Sequence, residues 1–304
     1  MVSRFESAAY KLRWGLRVAG PLATLLGAFR TAAILISRRP QGEVHLRSGP
    51  VLEFAFPEQF PPTLTMFGDL IDPEFAFLKR VARPNWRVID VGAAIGQFTL
   101  FATMCLPASR VDAFEPSSAN IATLKRNLER NGVVDKVTVH QAALSDRKET
   151  AHFATASKNW MSQLVTAGSP SEGTEEVAVD TLDTVLADLG IGHVNVLKIN
   201  VAGFEPAVIN GAMAKLRAQE VDVMVLLLGL PSLPHYAAIA QLGYRFFYYH
   251  PFKRTLHEVE SFDADAVLNH RPWPARHIIA IRDAALEPLI SGRVSVVSKL
   301  NKMD

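Results

Sequence analysis

The run Val88-Ile89-Asp90-Val91-Gly92-Ala93-Ala94-Ile95-Gly96 constrains this chain more than any other segment. Its first four residues read as a short buried strand, apolar but for one acid. Two glycines follow at once, and Phe98, Leu100 and Phe101 begin a helical pattern. Strand, glycine turn and helix in that order present backbone N–H groups and a helix N-terminus to a ligand. A second strand, Val111-Asp112-Ala113-Phe114, ends in Glu115. An acid at that strand end, beside the first turn, is placed to accept from the two hydroxyls of a ribose. The expected ligand is therefore a nucleoside.

The spacing of the glycines narrows the choice. A dinucleotide fingerprint needs G-x-G-x-x-G so that backbone closes around a pyrophosphate. Here Gly92 and Gly96 are separated by Ala93, Ala94 and Ile95, and no P-loop pattern occurs. A looser, uncharged turn preceded by Asp90 suits a nucleoside that carries an amino acid in place of a diphosphate, which is S-adenosylmethionine. A nicotinamide-dependent oxidoreductase is the reading that this spacing disfavours.

The ordered segments DVGAAIGQFT (90–99), AFEPSSAN (113–120) with LKRNLERNG behind it, AALSD (142–146), VDTLD (179–183) and LKINVAGFEPAVINGA (197–212) resemble the FkbM-family methyltransferases. The likeness runs from about Arg87 to Gly243. It implies an α/β fold, the doubly wound class I methyltransferase (Rossmann-like) seven-stranded sheet, here with an N-terminal helical and hairpin extension. It also implies S-adenosylmethionine as methyl donor and a small-molecule or glycan acceptor: a hydroxyl on a sugar, polyketide or lipid-linked glycan. Asp90, Gly92, Ala93, Gly96 and Glu115 are then the cofactor-binding candidates. Ser145 and Asp146, expected at the end of the third strand, join them, Asp146 being suited to accept from the exocyclic amine of the base; a simple turn aspartate is the rival reading.

The chain departs from the family pattern at Ala94, Asn200 and Ala202. Asn200 stands where an aspartate is expected and Ala202 where a glutamate is expected, at the end of the fourth strand. Asparagine orients and donates but cannot serve as a base near neutral pH. With those acids absent, no metal is expected there. Two readings stay open: transfer that relies on positioning with a base from elsewhere, or a weak or inactive methyltransferase-like protein that binds the cofactor and serves as a partner or scaffold. Lys198, Asn200 and Glu205 are expected to face the transfer site, and His250 is the candidate base. Lys198, costly to bury alone, is expected to pair with a carboxylate. His277 is expected to be packed.

At 304 residues and 49% hydrophobic, the chain is long enough for a large core. A net charge of +2 gives no reason to expect nucleic acid as a partner. The one cysteine, Cys105, falls among apolar residues and fits a reducing, cytoplasmic setting. Four regions are expected: a helical extension (1–42), a hairpin and cover segment (43–85), the catalytic domain (86–284) and a tail (285–304) that is a peripheral helix or partly disordered. The apolar stretch from Val18 to Ile36 is broken by Gly20-Pro21 and Arg30, so neither a spanning helix nor a signal peptide is expected. It admits peripheral membrane contact through residues 11–39, or packing on the domain or on a second copy in a homodimer. Residues 157–176 read as a long loop in which Trp160 and Met161 either cover a ligand or anchor the loop.

Overall fold

The computed structural model describes residues 15–16, 19–154, 163–165, 174–268 and 275–297. Ahead of the main sheet come helix α1 (Pro21–Ser37), the hairpin strands β1 (Gln41–His45) and β2 (Val51–Ala55), and helices α2 (Pro62–Phe67) and α3 (Pro73–Val81). Pro21, Pro62 and Pro73 each occupy a first helical position, where the missing N–H costs nothing. Strand β3 (Arg87–Val91), helix α4 (Gln97–Cys105), strand β4 (Arg110–Phe114), helix α5 (Ser118–Arg130) and strand β5 (Val137–His140) follow. The Ser117 hydroxyl caps α5 by accepting from the Asn120 amide, as the Ser-x-x pattern leads one to expect.

Strands β6 (Ala143–Ser145), β7 (Glu149–Ala154), β8 (Gln163–Val165) and β9 (Thr174–Thr181) form a separate four-stranded sheet. Helix α6 (Leu182–Asp188), strand β10 (Val194–Ile199), helix α7 (Glu205–Asn210) and strand β11 (Val221–Leu227) return the chain to the main sheet. Helix α8 (Leu233–Gln241), strands β12 (Tyr244–His250), β13 (Thr255–Glu258) and β14 (His277–Arg282), helix α9 (Asp283–Ile290) and strand β15 (Ser295–Val297) complete it.

The main sheet has nine strands in the order β15-β13-β12-β14-β11-β10-β3-β4-β5. Strands β5, β4, β3, β10 and β11 are parallel neighbours, and β14 runs antiparallel between β11 and β12. Those seven are the class I methyltransferase sheet; β13 and β15 add to its edge. From β3 the chain proceeds outward to β4 and β5, then comes back to lay β10 on the other side of β3. That reversal opens a crevice at the carboxyl ends of β3 and β10, where open α/β sheets take their ligands. The central strands are buried on both faces, which accounts for their near-continuous Val, Ile and Leu content. One core lies against α3, α4 and α9, the other against α6, α7 and α8.

Three expectations need correction. The third strand stops at His140, because the Ala142 amide turns back onto the His140 carbonyl. Ala143–Ser145 then pairs with Val179–Thr181 in the small sheet, so Ser145 and Asp146 do not sit at the end of β5. The segment expected as a loop at 157–176 includes β8 and the start of β9; Trp160 and Met161 lie outside the described residues. Of the expected tail, residues 285–297 are part of the body: Ala285, Leu286, Leu289 and Ile290 of α9 are buried, and β15 pairs parallel with β13.

The hairpin is held down by side chains that mimic a sheet edge. Asn127 of α5 accepts from the Glu53 amide and donates to its carbonyl, and Asn131 does the same for Val51. Leu52, Gln59, Pro61 and Leu64 are thereby placed over the crevice.

Candidate active site

A cavity of about 250 Å³ opens at the carboxyl ends of β3, β4 and β10 under the hairpin and α2. Gly92, Ala93 and Ala94 form one wall. Gly92 has φ +76°, and a Cβ there would come 2.0 Å from the Asn200 carbonyl oxygen, so only glycine lets β3 and β10 approach this closely. Gly96 stands at the start of α4, with Leu124 packed where its Cβ would be, and does not line the cavity.

Glu115 lies at the end of β4 against this turn and is 4% exposed. Its Oε2 accepts from the Ala94 amide at 2.8 Å, and its Oε1 accepts from the Ser117 amide and the Asn120 side chain, both at 3.1 Å. Burial raises the pKa of this carboxyl, and those three donors work against the rise. A carboxylate has about four acceptor sites, so the three donors fix its position and leave capacity for a ligand hydroxyl.

The amides of Gly92 and Ala93 both donate to the Phe114 carbonyl, and the Gly96 amide donates to Ala93. A turn whose amides bind the protein's own carbonyls offers a pyrophosphate little of the cradle that a dinucleotide requires. It fits a nucleoside with an uncharged neck. Beyond Glu115 the wall is apolar, made by Phe114, Ala142 and Leu144, with Phe114 stacked on His140 at 4.5 Å. That is a surface for a base to lie on rather than a carboxylate to read it.

Asp90 sits behind the wall. It is fully buried, does not line the cavity, accepts from the Thr99 hydroxyl at 2.6 Å and forms an ion pair with Lys198 at 2.8 Å. Its expected contact with the cofactor is corrected accordingly: its charge answers Lys198. Lys198 donates also to the carbonyls of Gly92 at 2.7 Å and Val91 at 3.3 Å, so its ammonium pins the glycine turn to β10.

Ser145 and Asp146 do not line the cavity; the Ser145 hydroxyl donates to Asp146, which pairs with Arg147 at the surface. Glu205 accepts from the amides of Val201 and Gly203 at 2.8 and 3.0 Å, closing the turn between β10 and α7 instead of facing the transfer site. His250 ends β12 away from the cavity, beside Phe252 and His257, and accepts from the Lys253 amide. It cannot reach an acceptor there.

The residues that do meet at the far end are Asp72, Gln97, Asn200, Arg276 and His277. Asp72 accepts from Gln97 at 2.7 Å and from the Arg276 guanidinium through both oxygens at 2.7 and 2.8 Å. Nε2 of His277 lies 3.2 Å from Nδ2 of Asn200. On the other side of the ring, Nδ1 is 2.5 Å from Oε1 of Glu74, off the line of a straight hydrogen bond. Burial drives the imidazole pKa down to about 3, with Asp72 opposing, and pushes the Glu74 carboxyl up to about 7. Burial likewise raises Asp72, with Arg276 opposing. Asp72, Glu74 and His277 have donor atoms within 4.8 Å of one another, a spacing that suits a cation. The Arg276 guanidinium already supplies positive charge at that point.

His277 is packed as expected and also borders the cavity, whereas Glu74 lies behind it, off the lining; neither position is marked in the sequence as facing a ligand. An acid in the first turn of a helix reads as a dipole partner, and a histidine opening an apolar strand reads as core. One signal was available. An antiparallel strand inserted into a parallel sheet begins where its neighbours end, and His277 is paired with Leu227, the last residue of β11. The first residue of β14 is therefore at the ligand end.

The family model described as "Methyltransferase FkbM domain" matches residues 90–246. The chain is 32% identical over 158 residues to the 31-O-demethyl-FK506 methyltransferase FkbM of Streptomyces tacrolimicus, covering 42% of this chain and 60% of that protein. It is 31% identical over 145 residues to Methyltransferase 1 of Beauveria bassiana, covering 41% of this chain and 57% of that one. The chain thus spans less than two thirds of the length of either. Among solved structures, the human methyltransferase 10 domain containing protein aligns over 86% of this chain and 98% of its own, at 12% identity and a TM-score of 0.41. Sheet order, glycine turn, buried Glu115 and the match over 90–246 agree, and the chain belongs to the FkbM methyltransferase family.

Proposed function

We propose that this chain transfers the methyl group of S-adenosylmethionine to a hydroxyl of an acceptor held between the hairpin and the ends of β10 and β14. The observation that carries the reading is Glu115: a buried carboxylate, fixed by three donors, bordering a cavity at the reversal point of the sheet. Gly92, Ala93 and Glu115 would hold the nucleoside, and Phe114 and Leu144 would flank its base. When bound, S-adenosylmethionine supplies an electrophilic methyl on a sulfonium, a donor that needs no further activation.

The chain's own residues then have two tasks. The acceptor oxygen has to be oriented, which Asn200 and Arg276 do from the cavity wall. Its proton has to leave. Nε2 of His277, freed from the Asn200 amide when the acceptor hydroxyl takes that place, accepts the proton, and Nδ1 passes one to Glu74 as their 2.5 Å contact straightens, the Glu74 carboxyl near pKa 7 being the better resting place. This route answers the departures at Asn200 and Ala202: the base enters from α3 and β14 instead of from β10. It favours turnover over a scaffold role. An oxygen acceptor is supported by the relative named as a 31-O-demethyl-FK506 methyltransferase; a sugar, polyketide or lipid-linked glycan hydroxyl is the class proposed.

Calorimetric titration with S-adenosylmethionine and with S-adenosylhomocysteine tests the reading. Wild type binds at least one of them and Glu115→Ala binds neither. Folded wild-type protein that binds neither ligand rules the reading out.

A further inference from the structure

Helix α1 is built inside out for a helix in water. The face packed on α2 carries small and polar groups: Thr24 and Gly27 are buried, and the Thr31 hydroxyl meets that of Thr65 at 3.1 Å. Gly27 is pressed so closely onto α2 that a Cβ would come 1.8 Å from the Met66 carbonyl oxygen. The outward face is formed by Leu22, Leu25, Leu26, Phe29, Ala33 and Ile36, all exposed. Those positions follow the i, i+3, i+4, i+7 spacing of a single apolar stripe. Leu22 is 70% exposed, Phe29 76% and Ile36 81%. A contiguous apolar face of this kind marks a surface that something covers.

Charge identifies the occupant. Between Glu6 and Glu43 the sequence has no acidic residue, whereas Lys11, Arg13, Arg17, Arg30, Arg38 and Arg39 fall within that interval. A two-fold contact between copies would bring the same cations together with no acid in the segment to answer them. An anionic lipid surface answers the exposed Arg30, Arg38 and Arg39, and it accepts an apolar stripe flanked by arginines. Among the described residues no helix is long and apolar enough to cross a membrane, so α1 would lie along the surface.

We infer that α1 docks this protein on an anionic membrane surface, with Leu22, Leu25, Leu26, Phe29 and Ile36 in the acyl boundary and Arg30, Arg38 and Arg39 at headgroup level. Helix α2, on which α1 rests, is also part of the cavity: Thr63 and Leu64 line it. Docking therefore holds the cavity's roof one helix thickness, about 10 Å, from the lipid surface. Resting on the methyltransferase reading, this assigns the acceptor to lipid-anchored hydroxyl compounds, which reach the cavity from the leaflet.

The test is flotation of the full chain with vesicles of phosphatidylcholine alone, and with phosphatidylglycerol added, at low and high salt. Wild type floats with the anionic vesicles, and high salt weakens this. Leu25→Asp/Phe29→Asp reduces the bound fraction at least tenfold, and Arg38→Glu/Arg39→Glu removes the preference for phosphatidylglycerol. Absence of flotation with both vesicles overturns the inference. So does a wild-type dimer, seen by sedimentation equilibrium, that the Leu25/Phe29 variant dissociates while vesicles bind neither protein. Titration of both variants with S-adenosylhomocysteine checks that the cofactor site is unchanged. Failure of that ligand to bind wild type counts against the methyltransferase reading, whereas docking is read from flotation alone.

Discussion

Nδ1 of His277 lies 2.5 Å from Oε1 of Glu74, although the two residues belong to opposite ends of the chain and both are almost wholly buried. Glu74 comes from the first turn of the helix before the sheet, and His277 opens the antiparallel strand inserted between β11 and β12. In the mechanism proposed above, this pair supplies the proton route that the end of β10 lacks.

Loss of either member should depress turnover without loosening the donor. His277→Gln keeps a group able to bond Asn200 but cannot carry a proton, and a general base is worth about 10²–10⁴-fold in rate. We expect kcat to fall within that range while S-adenosylhomocysteine affinity, read by calorimetry, stays put. Wild-type rate should climb as pH rises through about 7, where Glu74 gives up its proton. Glu74→Gln should lack that limb. An unchanged pH profile in Glu74→Gln would show that Glu74 serves packing alone.

The same pair shapes stability. Folding raises Glu74 from 4.5 to about 7, so over that interval the native state holds a proton that the unfolded chain has lost, and stability declines with pH. Folding lowers His277 from 6.5 to about 3, so there the unfolded chain holds the extra proton, and stability grows with pH. Between pH 4.5 and 6.5 the two slopes oppose each other, each up to about 1.4 kcal/mol per pH unit. Glu74→Gln removes one of the two opposing slopes, so in urea unfolding its stability should change more positively with pH across that window than that of wild type.

Lys198 and Asp90 make a second buried pair, and their partners show why neither can be changed singly. Lys198→Met would strand a fully buried carboxylate and release the Gly92 carbonyl, at about 3–5 kcal/mol. Lys198→Met combined with Asp90→Leu removes both charges. We expect the double variant to recover part of the loss in chemical denaturation; a double variant as unstable as the sum of the singles would mean that the two do not interact.

Gly92 and Gly132 both have positive φ, +76° and +64°, but their surroundings differ. At Gly132 nothing lies within 4 Å of a new Cβ, so Gly132→Ala meets only the left-handed penalty of about 1–2 kcal/mol. At Gly92 the new atom would strike the backbone of Asn200. Gly92→Ala should unfold at distinctly lower denaturant than Gly132→Ala and lose cofactor binding, whereas Gly132→Ala should bind normally.

What could be read from the residues, and what could not, follows from how far apart the interacting groups lie. The glycine turn, Glu115 and the alternation of strands and helices are local patterns, so they were legible. The likeness at Asp146 implies a base contact that the structure does not make, because the chain turns at Gln141 and Ala142 into a second sheet. Glu205 and Asp90 stand out in the sequence as acids near strand ends, but their charges are answered by backbone amides and by Lys198. Glu74, Arg276 and His277 are joined only by the insertion of β14 between β11 and β12, a pairing that no short motif encodes.

Asn200→Asp offers the sharpest test of the division of labour in the cavity. The new carboxylate would stand beside Nε2 of His277, where the amide nitrogen now lies 3.2 Å away. An opposite charge at that distance favours the imidazolium, so the His277 ring should protonate at higher pH than in wild type, which proton NMR of the ring can follow. An imidazolium cannot take a proton from an acceptor. If His277 is the proton acceptor, the variant's rate should fall at low pH and recover as pH rises, with its midpoint tracking the ring's new pKa. A rate that rises at all pH values would instead mean that the restored carboxylate takes the proton, and that His277 only holds Asn200 in place.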